Sequence, residues 1–153
     1  AEGGGEPPER YALVVCDVQP DLLSSLPEEA RSSLLGHVGE LLGEARRANW
    51  LVVYTGLRFP AGYAGVPSRH RLFGGLQRLN AKQGDAAVHW LMEGYPGAGV
   101  EPSLAPDFSR NEAVAWRQRL RPGEELLAPL RDRNVTKVAV AGLKTGQSVL
   151  ATC

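Results

Sequence analysis

The last stretch of the chain reads "GLKTGQSVLATC", Gly142 to Cys153, and follows the valine-rich run Val138-Ala-Val-Ala141. A buried strand, a glycine, and then Ser148 in a run of small residues has the form of a strand-turn-helix elbow that presents a nucleophile. A serine hydroxyl is barely ionised near neutral pH and needs a general base, most often an oriented histidine. The chain has three histidines, His37, His70 and His89, and none has motif spacing to Ser148. A carboxylate, Asp17 in "CDVQ", ends another apolar run. Open α/β sheets bind ligands at the carboxyl ends of their strands. Asp17 is therefore either a base at such an end or a carboxylate that orders the next loop or caps a helix. Alone it is a weak base for a hydroxyl. Ser148 is either a nucleophile or a small polar residue in a nucleophile's slot.

Other chemistries find little support. Cys16 adjoins Asp17, so on a strand it points to the opposite face. Cys153 lies five residues past Ser148, roughly 140° around a helix. The two cysteines make neither a metal-ligand pattern nor a disulfide framework, which points to a reducing, intracellular compartment, the cytoplasm or an organelle. No phosphate-binding glycine motif occurs; the glycines of "AGYAG" punctuate a loop. Seventeen basic and seventeen acidic residues cancel, which removes the electrostatic argument for nucleic acid or an anionic membrane surface. No apolar run approaches the roughly 18 residues of a membrane span.

The elements that position these residues follow from hydrophobic pattern. Length and a 43% hydrophobic composition fit one domain with one core. "AEGGGEPPER", residues 1–10, reads as a flexible arm, either a mature end left by transit-peptide removal or an arbitrary boundary. "YALVVCDV" reads as a strand buried on both faces, hence central in a parallel sheet. Ser24, Ser25, Pro27 and two acids signal a helix start. The helix then carries one apolar stripe, Leu34, Val38, Leu41, Leu42 and Ala45. "NWLVVYTGL" is a second strand, and Arg58 to Asp107 is irregular, with a short helix near Leu72 to Leu79. "NEAVAWR" is a third strand, Glu124 to Arg133 a helix, and "VTKVAVAGL" the fourth strand. Strands alternating with helices imply a three-layer α/β/α domain with a central parallel sheet and right-handed crossovers.

Three stretches together resemble the isochorismatase-like cysteine hydrolases. "ALVVCDVQPDLL" resembles that family's first strand, A-L-L-V-I-D-x-Q-x-D-F. "EGYPGAGVEPSLAP" resembles the loop E-G-x-P-G-x-x-I-x-P-E-L-x-P of one branch. "LLAPLRDRNVTKVAVAGLKTGQSVLAT" resembles the last crossover, which ends G-x-x-T-x-x-C-V-x-x-T. The resemblance runs from about Tyr11 to the end. It implies amide or vinyl-ether hydrolysis by an Asp after the first strand, a Lys at the end of the third, and a Cys at the elbow. Backbone N–H groups of the elbow, here Gly142, Leu143, Lys144 and Thr145, would stabilise the oxyanion. No cofactor is implied. The superfamily's metal-dependent amidases carry an Asp/His cluster after the second strand, whereas "YTGLRFPAGYAGVPSRH" has one His and no Asp, too few ligands for zinc.

Carried over residue by residue, the Asp matches Asp17 and the Cys position is Ser148. Counting back from "EELLAPLRDRNV" puts the Lys position on Ala115, or on Trp116 after a one-residue shift. Arg117 shares a strand face with Ala115 and is either a source of positive charge or a solvent-facing or loop-pairing arginine. The expectation is an isochorismatase-like pseudoenzyme that serves in a homo-oligomer or a larger complex. The alternative is a divergent hydrolase of a small amide or vinyl ether using Ser148 and Asp17, and a small-molecule ligand fits either. Gly36, Gly39 and Gly43 form a small-residue stripe on the first helix, suited to contact or merely tolerated. The domain, residues 11–153, is expected to lack the usual C-terminal strands and helix, which leaves one side of the sheet to be covered by a missing tail or a partner.

Overall fold

A computed structural model describes residues 9–64, 89–118 and 123–143. Its centre is a four-stranded parallel sheet in the order β3-β2-β1-β4, formed by β1 (Tyr11–Cys16), β2 (Leu51–Leu57), β3 (Glu112–Arg117) and β4 (Lys137–Gly142). β1 pairs on both sides, from Ala12↔Leu51 to Cys16↔Thr55 and from Tyr11↔Lys137 to Cys16↔Gly142. Residues 12–16 of β1 and the whole of β2 are buried. A strand covered on both faces has no polar face to show, so it reads as a continuous apolar run.

Among the described residues three helices accompany the sheet: α1 (Pro20–Leu23), α2 (Glu28–Arg47) and α3 (Glu124–Asp132). α2 lays Val38, Leu42 and Ala45 over Leu13, Val15 and Tyr54. α3 covers the opposite face, where Leu126 meets Val14, Cys16, Val53 and Ala115. The expected stripe is narrower in fact: Leu41 is 45% exposed. Ser24 and Ser25 do not start α2. Their hydroxyls donate to the carbonyls of Asp21 and Leu22 and close α1, and Pro27 stands at the N-cap of α2. Acids at the start of α2 and arginines at its end suit the helix dipole.

Arg46, at that end, grips Glu112 through two hydrogen bonds of 2.7 and 2.9 Å, tying the helix to the first residue of β3. On the glycine stripe, a Cβ at Gly36 would meet open space and one at Gly39 only the side chain of Leu104. β4 ends the strand order on the other side, with Lys137, Val138 and Ala139 exposed. The loop expected at "EGYPGAGVEPSLAP" is ordered around two 3₁₀ turns, Pro96–Ala98 and Pro102–Leu104. The short helix expected near Leu72 to Leu79 lies outside the described residues. Among the described residues no helix is long and apolar enough to cross a membrane.

Candidate functional site

The chain steps from β1 to β2 to β3 on one side and returns to β4 on the other. The strand order therefore reverses between β1 and β4, and the carboxyl ends of an open α/β sheet at such a point are where ligands bind. Asp17 follows β1 at that point. Its backbone is left-handed, with φ 59°, a conformation that aspartate tolerates better than most residues. Its N–H donates to the Thr55 carbonyl at 2.8 Å, so the ladder to β2 continues past the strand while the side chain is redirected.

The partner of that side chain is Arg117, the last residue of β3. Arg117 reaches across β2. One Nη donates to the Thr55 hydroxyl at 3.0 Å and the other to Asp17 Oδ2 at 3.1 Å. The second Nη also lies 2.9 Å from Asp17 Oδ1, and the two side chains are 1% and 0% exposed. Arg117 is thus neither solvent-facing nor paired in a loop. Thr55 is what draws it inward, since the hydroxyl and the carboxylate together satisfy one guanidinium edge. Ala115 sits two residues short of the strand's end, 5% exposed, in the cluster beneath α3. The cation beside Asp17 comes from Arg117. Oδ1 of Asp17 is buried and accepts no hydrogen bond.

The elbow begins as its glycine requires. Gly142 has φ 143°, and a Cβ there would fall 2.1 Å from the Cys16 carbonyl oxygen. Leu143 N–H donates to that same oxygen at 3.1 Å. Gly142 and Leu143 are thereby held against β1, one residue before Asp17. Lys144, Thr145, Ser148 and Cys153 lie outside the described residues, as does His70. His37 is exposed on α2, and His89 stacks on Tyr95 with ring centroids 3.9 Å apart. Among the described residues no three His, Cys, Asp or Glu side chains gather where they could hold a metal ion.

Two further residues frame that end of the sheet without a signal beyond their place in "DVQPD". Gln19 is buried. Its amide donates to the carbonyls of Leu57 and Ala98 at 2.8 and 2.9 Å and accepts from Leu57 N–H at 3.0 Å. Asp21 accepts from Leu91 N–H at 2.7 Å. These contacts tie the end of β2 and the Pro96–Ala98 turn to the segment that carries Asp17.

Beside Arg117 opens a cavity of about 440 Å³, lined by Arg58, Glu93, Trp116, Arg117, Gln118 and Glu125. Arg58 lies over Trp116, its guanidinium carbon 4.3 Å from the ring centroid.

The sequence from residue 11 to 153 matches the family model of the isochorismatase domain. No curated protein matches the chain in sequence. Among solved structures it is similar to a cysteine hydrolase from Pseudomonas syringae pv. phaseolicola, with 22% identity and a TM-score of 0.69 over 94% of this chain and 63% of that one. It is similar to N-carbamoylsarcosine amidase from Thermoplasma acidophilum, with 20% identity and a TM-score of 0.70 over 94% of this chain and 73% of that one. It is also similar to the pyrazinamidase of Pyrococcus horikoshii in complex with zinc, with 19% identity and a TM-score of 0.66 over 94% and 76%. The chain thus spans less than two thirds of the length of the first of these structures. At these identities the likeness is one of fold.

Proposed function

We propose that this chain, which belongs to the isochorismatase domain family, is a non-hydrolytic member that keeps the fold and acts as a binding or structural subunit. The observation that supports this reading is the closed pair of Asp17 and Arg117. A hydrolase of the expected type needs a carboxylate base that takes the nucleophile's proton and a cation that supports the resulting anion. Here the cation is a planar, permanently charged guanidinium. Its two terminal nitrogens already engage Thr55 and Asp17. Such a pair fixes three strands in place, and residue 148 is a serine rather than a thiol. The test is turnover of nicotinamide, pyrazinamide, N-carbamoylsarcosine and isochorismate. The expected rate equals that of Ser148→Ala for every substrate; turnover that vanishes with Ser148→Ala overturns the reading.

One observation favours the alternative, a divergent hydrolase of a small amide or vinyl ether. Oδ1 of Asp17 lies 2.9 Å from an Arg117 Nη yet accepts no hydrogen bond, so that oxygen keeps a lone pair for a donor. That reading predicts covalent labelling of Ser148 by a fluorophosphonate or an activated ester, lost in Asp17→Asn. An unlabelled, folded protein removes it.

The subunit role draws on β4, whose first three residues are exposed at the end of the strand order. A homo-oligomer or larger complex is the proposed state. Light scattering is expected to give more than the 16.5 kDa of one chain, and a stable monomer speaks against assembly.

A further inference from the structure

The geometry points to the cavity beside Arg117 as a binding site for a small carboxylate that bears a single negative charge and is seated on Arg58. Arg58 is the first residue after β2. Its backbone N–H donates to the Arg117 carbonyl at 2.9 Å, which pins its stem to the end of β3. Trp116 covers one face of its guanidinium. Among the described residues Arg58 makes no ion pair, and its Nε is buried without a hydrogen-bond partner. A buried charged donor with no acceptor is unfavourable and rare in folded proteins. A carboxylate relieves it well, because two coplanar oxygens match Nε and the adjacent Nη of one arginine.

The rest of the lining sets the class of ligand. Arg117 is already matched by Asp17, so Arg58 is the one lining cation whose charge has no counterpart among the described residues. Glu93 and Glu125 line the same cavity, and both are exposed. Glu125 also accepts from Gly123 N–H at 2.9 Å. Two carboxylates around one unmatched cation repel a ligand's second negative charge and welcome a neutral or ammonium end. Gln118 adds a neutral donor and acceptor. The cavity's size lies within the roughly 300–1,000 Å³ typical of small-molecule sites. Monocarboxylates and amino-acid-like zwitterions fit, whereas dicarboxylates and phosphates do not. The site does not depend on whether Ser148 reacts, so it stands or falls apart from the non-hydrolytic reading.

Three probes of equal length separate the outcomes: hexanoate, 6-aminohexanoate and adipate, titrated into the full chain. Binding is read by calorimetry and by the NMR signal of the Arg58 Nε–H. Hexanoate and 6-aminohexanoate are expected to bind and move that signal downfield, with adipate about tenfold weaker. Arg58→Lys keeps a charge but removes Nε, and is expected to weaken both favoured probes about tenfold with an unchanged melting temperature. Glu93→Gln is expected to narrow the adipate gap. An Arg58 Nε–H signal that no probe moves, or undiminished binding to a folded Arg58→Lys, overturns the site. Adipate binding tightest overturns the single-charge assignment.

Discussion

Asp17 and Arg117 stand one hundred residues apart in the chain, yet their charged groups meet at 2.9 Å with Thr55 beside them. Removing one member of a buried pair leaves the other charged and unmatched. Arg117→Leu is therefore expected to lower stability by about 3–5 kcal/mol in urea denaturation. Asp17→Asn suits the left-handed backbone at that position. Combined with Arg117→Leu, it is expected to cost less than the sum of the single changes. Additive losses would show that the two side chains do not act as a pair.

Gln19 makes three hydrogen bonds from one buried side chain. Gln19→Leu keeps the volume but leaves the N–H and C=O of Leu57 and the C=O of Ala98 without partners. A loss of about 2–4 kcal/mol is expected. Hydrogen exchange should localise it, with the Leu57 amide exchanging faster than its neighbours in β2.

Gly142 and Gly97 leave the same room for a Cβ and predict different costs. At each, the new carbon would fall 2.1 Å from an oxygen. At Gly97 that oxygen belongs to the Asp21 carboxylate, which can rotate away and give up its bond to Leu91 N–H. At Gly142 it is the Cys16 backbone carbonyl, in the ladder between β1 and β4, and the φ of 143° adds strain. Gly142→Ala should lower the melting temperature well beyond Gly97→Ala; equal losses would mean that the ends of β1 and β4 are loosely held.

Burial pushes the Tyr54 phenol up to about 12, with the negative charge of Glu112 adding to the shift and Arg46 opposing it. Below pH 10 the phenol is neutral whether the chain is folded or not, and its contribution is fully present. Between pH 10 and about 12 the unfolded tyrosine ionises while the folded one stays neutral, so stability falls as pH rises. Tyr54→Phe is expected to flatten the fall in melting temperature over that window. An unchanged slope would place the alkaline sensitivity elsewhere, Tyr63 being the other phenol raised to about 12 by burial.

The parallel sheet was legible because strands covered on both faces cannot hide their composition: Ala12 to Cys16 and Leu51 to Leu57 are apolar almost throughout. Asp17 was legible as the first charge after such a run. Arg117 was not. An arginine at a strand's end ordinarily snorkels to water, and nothing near it in sequence announces an acid one hundred residues away. Counting back from α3 reaches Ala115, two residues short of Arg117, and the length of a strand-to-helix connection leaves no mark in hydrophobic pattern that would tell one register from another. Gln19 was equally silent: a polar residue after a strand looks like loop until its three partners are seen. Leu41 failed for a geometric reason, since α2 meets the sheet along a stripe too narrow to include it.

The position of β1 also sets a schedule for synthesis. Of the four described strands β1 is the first to be made and pairs on both sides, but its partner β4 ends at Gly142. At 5–20 residues per second, the ribosome takes roughly 6–25 s to travel from the end of β1 to the end of β4. Throughout that interval the nascent chain carries a strand of Ala, Leu, Val and Cys with one edge unpaired. A strand buried from Ala12 to Cys16 in the finished domain is thus open along one edge while the chain is being made, and protection of nascent Tyr11–Cys16 by a chaperone would matter more than for the described strands that follow.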